Sequence, residues 1–297
     1  MKEVAAALKK SPHFLRLLRG FSPRYGDFGR DMKKLSVSLC VLVSVYLSIP
    51  APAAAQTYRA PRTADGKPNL NGIWQALNEA YWDVEGHAAA PGRVLALGAA
   101  DAVPPGVGVV EGGGIPYLPE AAAKRKQNFE NRLTLDPEIK CYLPGVPRAT
   151  YMPQPFQIIQ SPQHIMMIHQ YARAVRTIYM TNHTEAPADS WMGWSNGHWE
   201  GETLVVDTTG FNDKTWFDRA GNFHSDQLHV VERFTATGPD HLNYDVTIED
   251  PQVFSRPWKM SMPLYRRKEK NAQVLEFRCV EFVEELMYGH LKKQPTK

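Results

Sequence analysis

Cysteine is scarce in this chain. Only three occur among 297 residues, at positions 40, 141 and 279. That spacing excludes a C-x-x-C redox or zinc motif and a disulfide-dense scaffold. Long apolar runs are missing too. The longest, Leu35 to Ile49, falls short of the about 20 residues that a spanning helix needs. Charge of one sign is not in excess, with 34 Lys/Arg against 31 Asp/Glu. The glycine-rich stretch around Gly112-Gly113-Gly114 lacks the Gly-Lys-Ser/Thr ending of a phosphate loop.

What is present begins with a leader. From Met32, "MKKLSVSLCVLVSVYLSIPAPAAAQ" has Lys33 and Lys34 as a charged n-region, an apolar h-region, and Ala53-Ala54-Ala55 before Gln56. It reads as a secretory signal peptide cleaved after Ala55, with residues 1–31 upstream of the expected start. Of the basic and acidic residues, nine and three lie in residues 1–55, so 25 and 28 remain. The remaining chain is slightly acidic and has no electrostatic case for nucleic acid or an anionic membrane. A periplasmic or secreted destination follows. In such an oxidising compartment Cys141 and Cys279 are expected to pair.

Residues 56–297 have the length of one β domain. "NGIWQAL" (residues 71–77) alternates as a strand should, and residues 78–155 read as a long irregular insertion. Within it, "PEAAAKRKQNFENRL" places Pro119 at a first helical turn ahead of good helix formers. The proline-rich "CYLPGVPRATYMPQP" argues against regular structure. From Phe156 onward, short alternating runs are separated by turn residues. They are "FQIIQ", "HIMMIHQYA", "AVRTIYM", "GHW" with "TLVVDTT", "LHVVERFTA", "LNYDVTIED", "PWKMSMPLY" and "VLEFRCVEF". These predict an all-β antiparallel meander of about eight to ten strands, which must close or stack to protect its edges. "VEELMYGHLKK" reads as a short C-terminal helix with Val283, Leu286, Met287 and His290 on one side.

Parity within the strands locates candidate chemistry. In "HLNYDVTIE", Leu242, Tyr244, Val246 and Ile248 share one face. In "LHVVERF", Leu228, Val230, Glu232 and Phe234 share one face, and His229, Val231 and Arg233 the other. Glu232 thus stands between apolar residues on the apolar side, where a carboxyl must find a partner or take up a proton. Arg176 falls on the opposite face from Tyr171, Arg173 and Val175, so one of these arginines points inward. The connection "GFNDKTWFDRAGNFHSD" (residues 210–226) is too long for a hairpin and carries Trp216, Phe217, Asp218 and His224. Ordered loops of this length are often functional, though its aromatics equally suit a packed cover. His224 and His229 have no third ligand at a recognised spacing, so no metal is assigned. No cofactor is implied either.

Two resemblances add to this. Gly72-x-Trp74 on the first strand, with a meander and a C-terminal helix, resembles the lipocalin or calycin pattern. The stretches "CYLPGVPRATYMP", "WSNGHWEGETLVVDTTGFND" and "TWFDRAGNFHSDQLHVVERF" are similar to a family of secreted bacterial proteins of unknown function. The first resemblance implies a barrel with an internal cavity for a small apolar or aromatic molecule, and the second implies export without assigning any activity.

The working expectation is a cofactor-independent lyase (decarboxylation or elimination), by fold-level analogy with phenolic acid decarboxylases. Glu232 would donate the proton, Arg176 or Arg233 would orient a substrate anion, and His224 or Tyr171 would assist. Trp216, Phe217, Asp218, His229 and Tyr244 would contact substrate. The rival is a lipocalin-like carrier without catalysis. An enzyme requires these titratable groups to converge on one cavity. A carrier requires a cavity lined by apolar groups and neutral donors, and an interaction protein requires an exposed apolar patch.

Overall fold

A computed structural model describes residues 58–92, 102–288 and 290. The leader assignment, including Lys33, Lys34 and the cleavage after Ala55, lies outside the described residues. The chain divides into residues 1–56 and 57–297, and the fold below is that of the second unit.

Nine strands close into a barrel in chain order. They are β1 (Gly72–Ala76), β2 (Phe156–Gln160), β3 (His164–His169), β4 (Val175–Tyr179), β5 (Trp194–Glu200), β6 (Thr203–Thr209), β7 (His229–Gly238), β8 (His241–Glu249) and β9 (Trp258–Arg266). The alternation seen in the sequence is the burial pattern of the wall. On β8, Leu242, Tyr244, Val246 and Ile248 are buried, and the residues between them are not. Neighbouring strands pair antiparallel with one exception. β4 and β5 run parallel, and their register covers only Ile178↔Ser195 and Tyr179↔Asn196. The connection between them is too long for a hairpin, so the chain crosses one barrel end and returns in the same direction.

Closure explains why "VLEFRCVEF" is not a strand. β9 already pairs with β8 on one side and β1 on the other, so no edge remains for it. Residues 274–282 instead run along the outside as a strap. Leu275 N–H donates to Gln170 Oε1 (3.2 Å), Phe277 packs on Tyr171 at 5.0 Å, and Cys279 is disulfide-bonded to Cys141 with Cα atoms 5.7 Å apart. The strap ends in a helix, Val283–Tyr288, whose Val283, Leu286 and Met287 are exposed rather than packed.

The insertion between β1 and β2 holds three α-helices among the described residues, α1 (Pro119–Glu130), α2 (Arg132–Leu135) and α3 (Arg148–Tyr151), and a 3-10 turn (Pro137–Lys140); the strap helix is α4. Pro119 opens α1 as expected. The proline-rich segment does contain one regular turn. It is α3, which follows a cis Val146–Pro147 bond, has every residue buried and packs against β1. A salt-bridged base supports it, where Arg148, 1% exposed, meets Asp136 at 2.9 Å and Glu138 at 2.8 Å.

The Gly-x-Trp motif has a definite job. Trp74 is fully buried and its Nε1 donates to Leu70 O (2.9 Å). Arg266 lies opposite it on β9, with its guanidinium 4.2 Å from the Trp74 ring centroid and Nη1 donating to Asn71 O (2.7 Å). Gly72 has φ +149°, and a β-carbon there would collide with that guanidinium. The missing side chain makes room for the arginine that fastens the first strand to the last. No described helix is long and apolar enough to cross a membrane, and the disulfide fits an oxidising compartment. Replacing Arg266→Ala removes the cation–π contact and the bond to Asn71, so urea unfolding is expected to show a loss of about 1–3 kcal/mol.

Candidate functional site

Inside the barrel, Glu232 has no exposed surface. Its Oε2 accepts from Arg176 Nη2 in an ion pair, and its Oε1 accepts from the Tyr244 hydroxyl at 2.7 Å. Arg176, also buried, donates from Nε to Ser195 Oγ (2.9 Å) and from Nη2 to Thr208 Oγ1 (2.8 Å). Ser195 and Thr208 lie 3.2 Å apart. Thus β4, β5, β6, β7 and β8 each contribute one polar side chain to a continuous core network. Burial, and then the Glu232 charge, push the Tyr244 phenol well above its usual range. Tyr244 therefore keeps its proton and is the donor in that bond.

Three of the residues singled out from sequence, Glu232, Arg176 and Tyr244, do meet. The others do not join them. Arg233 is on the outer wall, bonded to Glu200 at 2.7 Å. His229 is also outside, between Asp207 (3.0 Å) and Glu249 (3.4 Å). Burial alone would lower its pKa, but the bonds and charges of these two carboxylates raise it. Tyr171 lies in a 3-10 turn, Tyr171–Arg173, rather than a strand, and its hydroxyl donates to Glu138 O (3.0 Å).

The long loop after β6 is a packed cover. His224 is buried, with Nε2 2.6 Å from Thr215 Oγ1 and Nδ1 2.8 Å from Ser225 O. Burial lowers its pKa. Trp216 bridges to Phe223, and Phe217 packs edge-on against Trp258 at 5.7 Å. Asp218 accepts from Val84 N (2.9 Å), Ala220 N (2.9 Å) and Asn222 Nδ2 (2.5 Å). Burial, and then the nearby Asp83, push its carboxyl up to about 7. The Val84 bond fastens the loop to the insertion, and the other two hold the turn of the loop itself. Among the described residues no cluster of three His, Cys, Asp or Glu is placed to hold a metal.

Sequence reading passes over two features. Gly193-Trp194-Ser195-Asn196-Gly197 has the spacing of a serine-nucleophile elbow. Ser195, however, sits within β5 as an acceptor for Arg176, without the strand-to-helix turn that such an elbow needs. His169 is the second. It points inward from β3, is 2% exposed, and neither ring nitrogen has a hydrogen-bond partner. The Ala149 backbone approaches it without completing a bond. Burial, then the Arg176 charge, lower its pKa to about 3. Each unbonded buried group of this kind carries a penalty of about 1–3 kcal/mol.

A cleft lies at the barrel end formed by the β2–β3 turn and the ends of β4 and β5. It encloses about 390 Å³. Ile165, Met180, Pro162 and Trp199 supply apolar lining, and Lys67, Gln160, Thr181 and His198 supply polar groups. The N-terminal arm runs over it, fixed where Leu70 N–H donates to Gln160 Oε1 (2.5 Å). No protein-family model matches the chain, and no curated protein is similar to it.

His169 sets a pH dependence. Its folded pKa is about 3 against about 6.5 unfolded, so the unfolded state binds the extra proton between those values. Its contribution is complete above pH 6.5 and is lost as pH falls, at about 1.4 kcal/mol per unit. His224 acts in the same sense. His229, with a raised value, acts in the opposite one, favouring the fold at lower pH. Urea midpoints measured from pH 7 to pH 4 are expected to fall less steeply in His169→Phe than in the unaltered protein.

Proposed function

We propose that this is an exported small-molecule-binding barrel of calycin type that takes its ligand in the cleft at the barrel mouth and does not turn it over. The observation that carries this reading is the cleft itself. Its volume lies within the about 300–1,000 Å³ range of ligand sites, and barrel mouths are a common place for them. Trp199 and Ile165 offer an apolar floor, and Lys67, Gln160 and Thr181 a polar margin. This lining suits a small molecule with an aromatic or apolar body and one polar edge. It departs from the purely apolar and neutral lining expected of a carrier, so the ligand is more polar than a fatty acid tail.

The lyase alternative is weakened by the separation of its parts. His224, Tyr171 and Arg233 have their own partners elsewhere. Both oxygens of Glu232 are taken up by Arg176 and Tyr244 within the wall. Export to the periplasm or beyond rests on the leader and is supported by the disulfide.

The test is a thermal-shift and calorimetric screen of the purified protein against phenolic acids, terpenoids and fatty acids, with mass spectrometry of each hit. Saturable binding, recovery of the ligand unchanged, and at least about tenfold weaker binding in Trp199→Ala are expected. Consumption of the ligand, or binding indifferent to Trp199→Ala, would overturn the proposal.

A further inference from the structure

We infer that the Cys141–Cys279 disulfide is a reducible latch on the strap. A dithiol reductant that opens it frees the strap and uncovers the cleft beneath, while the barrel wall stays closed. The latch is independent of the mouth cleft and of any ligand there.

The two ends of the bond are held very differently. Cys141 caps the 3-10 turn Pro137–Lys140, and its N–H donates to Glu138 O (2.9 Å). The next residue, Tyr142, donates from its N–H to Pro137 O (3.1 Å) and sets its ring 5.0 Å from Trp191. Arg148 grips Asp136 and Glu138 of the same turn from the buried side. Cys279 has no comparable support, because its strap pairs with none of the nine strands. Its other ties include the Leu275 bond to Gln170 (3.2 Å), a bond from Phe282 N–H to Ile139 O (2.8 Å) and the Phe277–Tyr171 ring contact. The Arg173–Glu276 pair (3.0 Å) is more than half exposed at both ends and adds little. Leu275 and Val280 face solvent, and Phe277 and Phe282 are only half-buried.

Strap and barrel body enclose a cleft of about 230 Å³, with Ile139, Tyr171 and Arg219 on the body side and Phe277, Phe282 and Val283 on the other. One wall of this cleft therefore hangs on the disulfide. Closure of the barrel does not, since β9 pairs directly with β1 and β8. Cys279 is exposed and Cys141 half-buried, and accessible disulfides are the ones that reductants reach. The thiolate of a dithiol attacks Sγ of Cys279, and Cys141 leaves as a thiolate that takes a proton from water. The second thiol then displaces Cys279. Two electrons and two protons pass to the chain, and the reductant closes its own disulfide. The strap moves and the 3-10 turn stays.

The experiment treats the folded, unaltered protein with excess dithiothreitol without denaturant, counts thiols by mass, and follows backbone amide signals by NMR. Two thiols are expected to appear. Amides of Leu275, Phe277 and Phe282 should move to positions typical of mobile chain, while those of Val230 on β7 and Tyr244 on β8 hold theirs. Limiting trypsin should cut after Arg278 about tenfold faster than in the oxidised protein. Oxidised glutathione should restore the first spectrum, and the Cys141→Ser, Cys279→Ser double variant should reproduce the reduced one. A disulfide that resists dithiothreitol in the folded protein, or strap signals unmoved once both thiols are present, would overturn the latch. So would loss of the β7 and β8 signals along with the strap, or a double variant that does not fold, either of which would make the bond a staple of the whole barrel.

Discussion

The rest of the structure depends on how the barrel holds together between β4 and β5. Every other adjacent pair of strands is antiparallel with at least three residue pairs in register, whereas this parallel pair has two. Backbone hydrogen bonding is therefore thinnest here. Arg176 crosses that seam with its side chain. It starts on β4, bonds Ser195 on β5 and Thr208 on β6, and ends on Glu232 of β7, which is held in turn by Tyr244 of β8. A buried ion pair is weak grounds for stability by itself, because desolvation offsets much of the attraction. Here its value lies in geometry, since one rigid guanidinium fixes three other strands relative to its own.

This arrangement separates the two properties that sequence reasoning had joined. The interior charge is real, but it is compensated within the wall. The cleft proposed to take a ligand lies at the end of the barrel, one inward layer beyond Arg176, where Ile165 forms both the top of the core and the floor of the cleft. The long loop and the insertion close over other parts of the barrel through the Asp218 bonds and the buried Arg148–Asp136 pair. Their histidine and aspartate serve packing and anchoring.

Much of the wall was legible because one side of each strand is dry. Period-two alternation placed Glu232 between Val230 and Phe234 and turned one of Arg173 and Arg176 inward without deciding which; the structure buries Arg176. The partners of Arg176 were not legible. Ser195 and Thr208 meet it only because β5 returns parallel to β4, a consequence of a connection whose path no local pattern encodes. Tyr171 looked like part of a strand by alternation, but Ala172 and Arg173 both adopt positive φ, near +51° and +53°, and the chain turns there. The segment at 274–282 has strand-like composition yet stays outside, because closure by β1 and β9 is a property of the whole sheet. His169 had no sequence signal beyond its parity.

Native-state amide hydrogen exchange on the Arg176→Met, Glu232→Leu double variant tests the seam most directly. Apolar replacements avoid leaving a lone buried charge, so the fold should persist while the bridge is lost. The account predicts that amides of β4 and β5, Ile178 and Ser195 among them, lose protection by about tenfold or more relative to those of β7 and β8. Protection that falls evenly around the barrel, or does not fall at β4 and β5, would contradict it.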